Sequence, residues 1–352
     1  MKPEAIELLR VRLPLRRPFT TSFGTMREKE AILVRALGPE GEGWGECVAA
    51  QEPRYSAEWN DGAWLVLRDH LAPAALAGHA SGVRGHPMAR TALDVALLDL
   101  RLRAEGRSLA EELGAIRDRV PSGVSLGLEG SLDDLLAEVE QAVGARYRRV
   151  KLKIEPGRDL DVVRTVRETF PDLPLSVDSN AAYTPADLDH LTRLDAFGLA
   201  YIEQPLPEDD LLGHASLQER IQTPVCLDES ITSPTRAMEA IRADACRIIN
   251  VKVGRVGGLD PSRAIHDIAV AEGVPLWCGG MLETGIGRAV NLAVAAMPGF
   301  TLPGDTSASE RYFPQDLTEP FVLDPDGTMP VPRGPGIGVD PDPERLAEAT
   351  VD

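Results

Sequence analysis

The fold is decided by residues 147–180, YRRVKLKIEPGRDLDVVRTVRETFPDLPLSVDSN. The stretch opens on an alternation, with Val150, Leu152 and Ile154 interleaved with Lys151 and Lys153. Side chains two apart share one face of a strand, so the pattern predicts a strand with an aliphatic face and a lysine face. LDVVRTVRETF then repeats its apolar residues at three- and four-residue steps, the period of an amphipathic helix. LPLSVDSN returns to a short β-type run. Taken alone, the paired lysines read as a solvated strand face, as in a sheet with one wet side.

Working outward, the same rhythm begins near Val120 and continues to about Asp305. Short β-type runs occur at VPSGVSLGL, YRRVKLKI, LPLSVDSN, GLAYIEQP, TPVCLDES, CRIINVKV, VPLWCGG and FTLPGD. Seven helical patterns separate them, several opening on Asp, Ser or Pro as helix starts do. Strands alternating with helices imply a parallel sheet, and eight of them closed on themselves give an α/β fold of modified TIM-barrel type, (β/α)7β.

The flanks differ. IELLRVRLPL and AILVRALGPEGEGWGECVA suggest an antiparallel hairpin or meander, and MARTALDVALLDLRLRAEG an amphipathic helix. Past Asp305 the chain is rich in Pro, Gly and Asp and too poor in apolar residues to fold alone, so it is expected to pack back on the N-terminal region. The reading is an α+β unit over 1–119, a barrel over 120–305 and a returning segment over 306–352.

The last charged residues of five successive barrel strands are Lys153, Asp178, Glu203, Asp228 and Lys252, separated by 25, 25, 25 and 24 residues. That is one βα unit each time, so all five fall at the carboxyl ends of strands, where such barrels place their active sites. Three acids on adjacent strands repel unless something positive sits among them. A hard divalent cation with oxygen ligands, Mg²⁺, meets that need, whereas zinc prefers nitrogen or sulfur. Each acid taken singly could instead cap the helix that follows it.

The lysines flank the acids, so a carboxylate substrate on the metal would lie between them. Such a substrate can lose its α-proton when a Lewis acid stabilises the enediolate. A lysine serves as the base only when partly neutral near pH 7, which requires destabilising its charged form by roughly 4 kcal/mol. Lys151, on the same face at ~7 Å, supplies about 2.4 kcal/mol at an effective dielectric of ~20. Metal charge and desolvation must supply the rest. Asn180, two residues beyond Asp178, can face the same cavity, whereas alternation directs Glu229 away from it.

Composition sets limits. The 352 residues are 43% hydrophobic with a formal net charge of −18, which argues against nucleic acid or an anionic membrane as partner but not against a small anionic substrate. No 18-residue apolar run occurs, and MKPEAIELLR lacks a signal-peptide core, so a soluble, cytoplasmic protein is expected. Cys47, Cys226, Cys246 and Cys278 form no CxxC and are expected to be reduced and mostly buried. His190, His214 and His266 lie in helical patterns and read as packing or surface residues. GRVGGLD lacks the spacing of a phosphate loop and reads as a turn at the barrel rim. The sequence leaves oligomeric state open, a homo-oligomer being compatible with it.

The order KxK, Asp, Glu, Asp, Lys on successive strands resembles the enolase superfamily, in its muconate-lactonizing-enzyme-like subgroup, for which a lysine base with Mg²⁺ is a general pattern. GWGECVA, IEQPL, CLDES, NVKVGRVGG, WCGGMLETGIGR and LPGDTSAS closely resemble the o-succinylbenzoate synthases that also act as N-acylamino acid racemases. The resemblance implies an α+β capping domain from both termini and a mobile loop over the site near 18–26. It implies Asp178, Glu203 and Asp228 as ligands of Mg²⁺, with Mn²⁺ as a substitute, and Lys153 and Lys252 as the acid/base pair. Lys151 would contact the substrate carboxylate, and Ser125, Asn180, Gly280 and Met281 would line the pocket, the last two on its eighth-strand side. Arg255 matches a position associated with racemase-capable members, although Val253 stands where relatives commonly have Pro. The implied activity is dehydration to o-succinylbenzoate on the way to menaquinone, with racemisation of N-succinylamino acids. A dedicated N-acylamino acid racemase, or a dipeptide epimerase or cycloisomerase, fits the same scaffold. A non-catalytic binder would not need two matched lysines.

Overall fold

The computed structural model describes residues 2–21, 24–128 and 130–351. Two long strands, β1 (Ala5–Thr21) and β2 (Gly24–Gly38), run antiparallel along their lengths, from Ala5 beside Leu37 to Thr21 beside Gly24. A short strand β3 (Gly41–Cys47) extends the sheet, and the helix Pro87–Glu105 packs across it. The contact is backbone against backbone. A Cβ on Gly43 or Gly45 would fall 2.2 Å from the Ala96 carbonyl oxygen or 1.9 Å from that of Ala92, so the glycines of GEGWGE permit the approach. Ile32, Val34 and Ala36 bury their side chains against Ala92, Leu93 and Ala96 in this layer's own core.

The chain then enters the barrel through β4 (Arg119–Pro121). Seven parallel strands follow in sequence order: β5 (Gly123–Leu126), β6 (Arg149–Lys153), β7 (Leu175–Asp178), β8 (Ile202–Glu203), β9 (Val225–Leu227), β10 (Ile248–Val251) and β11 (Leu276–Cys278). Residues 300–305 close the circle as an eighth strand. Phe300 bridges to Leu276 and Gly304 to Ser122, both parallel, and the Gly123 N–H donates to the Gly304 carbonyl at 2.7 Å. The aliphatic residues Val150, Leu152 and Ile154 enter the main core, as the alternation requires.

Most of the expected helices form, with Ser131, Asp210 and Ser233 accepting N-terminal backbone hydrogens at three of them. The third differs: ADLDHLTRLDAF breaks into a single α turn flanked by 3₁₀ segments. Asp195 explains the tight end, because its carboxylate leaves the helix pattern to accept from the Gln222 and Thr223 backbones.

The tail returns to the N-terminal layer. β12 (Thr328–Pro330) pairs with β4, and β13 (Thr350–Val351) pairs with β1, placing Val351 beside Arg10. Ile337 N–H donates to Asp99 of the long helix at 2.7 Å. Among the described residues, no helix is long and apolar enough to cross a membrane.

Candidate active site

The carboxyl ends of the barrel strands open into a cavity of about 310 Å³ beneath the N-terminal sheet. Sheet register places Lys153 beside Asp178 and Asp178 beside Glu203. Lys153 Nζ donates to Asp178 Oδ2 and Asn180 Oδ1, both at 2.6 Å. Lys151, one layer below, reaches Glu203 Oε2 at 2.7 Å, Asp305 Oδ2 at 2.9 Å and Asp178 Oδ2 at 3.3 Å. Both lysine side chains thus turn inward, and they share one oxygen of Asp178.

Across the mouth, Lys252 follows β10 and lies 2.8 Å from Asp228 Oδ2. Its Nζ also sits 3.2 Å from the Tyr55 hydroxyl and 4.8 Å from the Tyr55 ring centroid. β6 and β10 are the second and sixth of eight strands, so Lys153 and Lys252 stand on opposite sides of the barrel. Both line the cavity, together with Ser125, Lys151, Asp178, Asn180, Gly280 and Met281.

Three expected residues lie outside the lining. Glu203 and Asp228 sit deeper, fully buried. Arg255, expected at the substrate, turns under the rim instead: it pairs with Asp228 and donates to the Ile231 and Asn250 carbonyls at 2.9 and 2.7 Å. The short helix Val253–Val256, followed by Gly257 and Gly258 at φ 97° and 113°, aims it there. The Gly280–Met281 turn follows the seventh strand and faces Asp305 on the eighth. The expected loop over 18–26 is the end of the β1–β2 hairpin, with Phe19 paired to Met26 and Thr20 to Thr25; Ser22 and Phe23 lie outside the described residues.

One sequence-based expectation needs correction. Glu229 does not point away: β9 ends at Leu227, alternation ends with it, and Glu229 Oε1 accepts from Asn180 Nδ2 at 2.9 Å. Lys151 is held in its charged form by three carboxylates. Burial alone would lower its pKa, but Asp305, Glu203 and Asp178 outweigh burial and hold it well above the ordinary value. Lys252 is likewise held above its ordinary value, against burial, by Tyr55, Glu229 and Glu203. Burial would lift the Asp178 carboxyl, but Lys153 and Lys151 keep it below its usual range. Glu203 moves up, through burial and then the neighbouring Asp178 charge.

Asp305 falls outside the 25-residue series and is central to the site. Besides Lys151 it takes Arg149 Nη2 at 2.8 Å and the Ser125 hydroxyl at 3.0 Å. It is the last charged residue of the eighth strand, so the same rule identifies it once the uncharged seventh strand is passed over. Tyr55 comes from an irregular segment with no periodic signal.

Among the described residues, no three His, Cys, Asp or Glu side chains converge closely enough to hold a metal ion. The acids are instead matched by cations: Asp178, Glu203, Asp228, Glu229 and Asp305 against Arg149, Lys151, Lys153, Lys252 and Arg255. The donor chemistry still fits a hard dication. Asp178, Glu203 and Asp228 offer only oxygen from three adjacent strands, and the two buried oxygens of Asp228 face only the cations Lys252 and Arg255, a counter-charge that a dication could replace. A dication would compete with the ammonium groups for the same oxygens and leave the site net positive, suited to an anionic substrate.

Residues 134–345 match the enolase C-terminal domain-like family, and residues 5–114 the mandelate racemase / muconate lactonizing enzyme N-terminal domain. An N-succinylamino acid racemase from Amycolatopsis is 54% identical over 99% of this chain and 98% of its own length. An o-succinylbenzoate synthase from Geobacillus stearothermophilus is 46% identical over 99% and 96%. A solved member of the enolase superfamily from Enterococcus faecalis superposes with a TM-score of 0.92 at 42% identity, covering 100% of this chain and 98% of that one. Enzymes of this kind generally depend on a divalent metal. The chain belongs to the enolase superfamily, in its mandelate racemase / muconate lactonizing enzyme branch.

Proposed function

We propose that the protein is an o-succinylbenzoate synthase that also racemises N-succinylamino acids. The observation that carries this reading is the placement of Lys153 and Lys252 on opposite sides of one cavity with the carboxylates between them. Asp178, Glu203 and Asp228 would hold Mg²⁺, or Mn²⁺ in its place, which when bound supplies a Lewis acid for the substrate carboxylate. Lys151, Ser125, Asn180, Gly280 and Met281 would bind substrate, and Arg255 would position Asp228 from beneath.

In the dehydration, Lys153 takes the α-proton and then returns it to the departing hydroxyl, which leaves as water. In the racemisation, one lysine removes the α-proton from one face and the other delivers a proton to the opposite face. Asn180 holds Lys153, and Tyr55 holds Lys252, in the positions these transfers require. The substrate is a small carboxylate with a succinyl or N-acyl arm, and the acidic surface disfavours nucleic acid and membranes. Residues 1–119 and 306–352 form the cap and 120–305 the catalytic barrel, in a cytoplasmic enzyme.

A dedicated N-succinylamino acid racemase is the second reading, favoured by the 54% identity to the Amycolatopsis racemase. Incubation with Mg²⁺ in D₂O separates the two. The cyclohexadiene carboxylate substrate should be dehydrated, and N-succinylamino acids of either hand should take up solvent deuterium. Exchange without dehydration supports the dedicated racemase. No reaction with either substrate sinks both readings.

A further inference from the structure

The cavity contains a cation that the proton transfers above do not use. Lys29 lies on β2, on the same strand face as Ala31 and Leu33, which enter the main core. It lines the cavity yet is only 2% exposed. Among the described residues its Nζ makes one hydrogen bond, to the Val48 carbonyl at 3.2 Å, and no carboxylate lies within 4.0 Å of it. An ammonium carries three donors, so two stay unused in a buried setting, where unmet donors are costly.

The other cavity lysines are committed: Lys151, Lys153 and Lys252 each contact a carboxylate. The two acids whose charges act most on Lys29, Glu46 and Glu283, hold other donors. Glu46 accepts from Thr284 N–H at 3.1 Å, the Thr284 hydroxyl at 2.7 Å and Gly287 N–H at 2.9 Å, at the start of the helix Gly285–Ala295. Glu283 accepts from Met281 N–H at 2.8 Å. Burial pulls the Lys29 pKa down while Glu46 and Glu283 oppose it, so a further anion at Nζ would supply both the missing acceptors and a stronger counter-charge.

We infer that Lys29 receives the terminal carboxylate of the substrate's succinyl arm, while the α-carboxylate is held at the Lys151–Lys153 end of the cavity. The inference rests on the proposed reading of the substrate. It assigns the cap a specificity-determining cation separate from the proton-transfer lysines.

The test compares N-succinyl- with N-butanoylphenylalanine, whose arms match in length and differ in the terminal carboxylate. For Lys29→Met, kcat/KM should fall roughly 10- to 100-fold further for the succinyl substrate than for the butanoyl one, the range of a charged hydrogen bond. Lys29→Arg should restore much of the difference. The ratio is taken on one preparation, so a partly unfolded variant does not affect it. An unchanged ratio, with both substrates reduced alike, would mean that Lys29 only neutralises Glu46 and Glu283, and would overturn the assignment. Calorimetry with N-succinyl- and N-butanoylglycine gives a readout without turnover. If the wild type turns over neither substrate yet prefers the succinyl ligand, and Lys29→Met loses that preference, the activity is misread and the assignment stands. If the wild type shows no preference in binding, the assignment falls.

Discussion

The barrel and the cap line the same cavity by different means. Barrel residues arrive at regular intervals from the ends of parallel strands, and register fixes Lys153, Asp178 and Glu203 side by side. Cap residues arrive singly: Phe19 and Met26 from a hairpin end, Lys29 from mid-strand, and Tyr55 from an irregular segment. The two proton-transfer lysines inherit this difference. Lys153 is held by Asp178 and Asn180, both barrel residues, whereas Lys252 has the cap's Tyr55 among its partners. The lesson is a division of labour, with the barrel carrying chemistry common to any substrate and the cap conditioning one lysine and the choice of substrate.

The largest expected effect lies in the barrel. Lys153→Ala should lower dehydration by at least about 10²–10⁴-fold, the usual contribution of a positioned acid/base group. The loss should be the same in kind for every substrate, and a substrate-selective loss would break the proposed division.

Next in size is a cap effect on stability. Burial lifts the Glu46 carboxyl to about 7, although Lys29 and Thr284 pull it down. A carboxyl whose folded pKa is raised favours folding while it keeps its proton and loses that advantage as pH rises from the unfolded to the folded value. Between about pH 4.5 and 7, therefore, the wild type should lose up to about 3 kcal/mol relative to Glu46→Gln, which does not titrate. Urea unfolding of both proteins across this range measures the difference. A constant gap would show that Glu46 is ionised throughout and that the cap anchors the Gly285–Ala295 helix by a fixed charge.

The smallest effect sharpens the contrast between the lysines. Tyr55→Phe removes a hydroxyl 3.2 Å from Lys252 Nζ and 3.1 Å from Arg255 Nη1. It should slow proton transfer at Lys252 by about fivefold, the worth of one ordinary hydrogen bond, and leave transfer at Lys153 less affected. Equal slowing of both would mean that Tyr55 acts on the cavity as a whole.

The same division explains how far the sequence could be read. A 25-residue period is a statement about βα units, so it reaches residues that strands carry to one level. It located Lys153, Asp178, Glu203, Asp228 and Lys252. It passed over Asp305, because the seventh strand ends in Cys278 and interrupts the charged series. Strand alternation misdirects Glu229, which lies past the end of its strand, and the family resemblance puts Arg255 at the substrate, although a short helix turns that side chain beneath Asp228. Lys29 and Tyr55 had no period to betray them. Their positions depend on how the cap sheet lies over the barrel, and the close approach at Gly43 and Gly45 that fixes its own helix is local to the cap. Lys151 likewise meets Asp305 from a strand more than 150 residues away in sequence, a partner that no local spacing reveals.

The central claim is that Lys153 and Lys252 address opposite faces of one α-carbon. The direct measurement is α-deuterium exchange of the separate enantiomers of an N-succinylamino acid in D₂O, with Lys153→Ala and Lys252→Ala. Each variant should fail to racemise yet exchange one enantiomer with retention, and the two variants should favour opposite enantiomers. Exchange of the same enantiomer by both, or racemisation by either, would contradict the account.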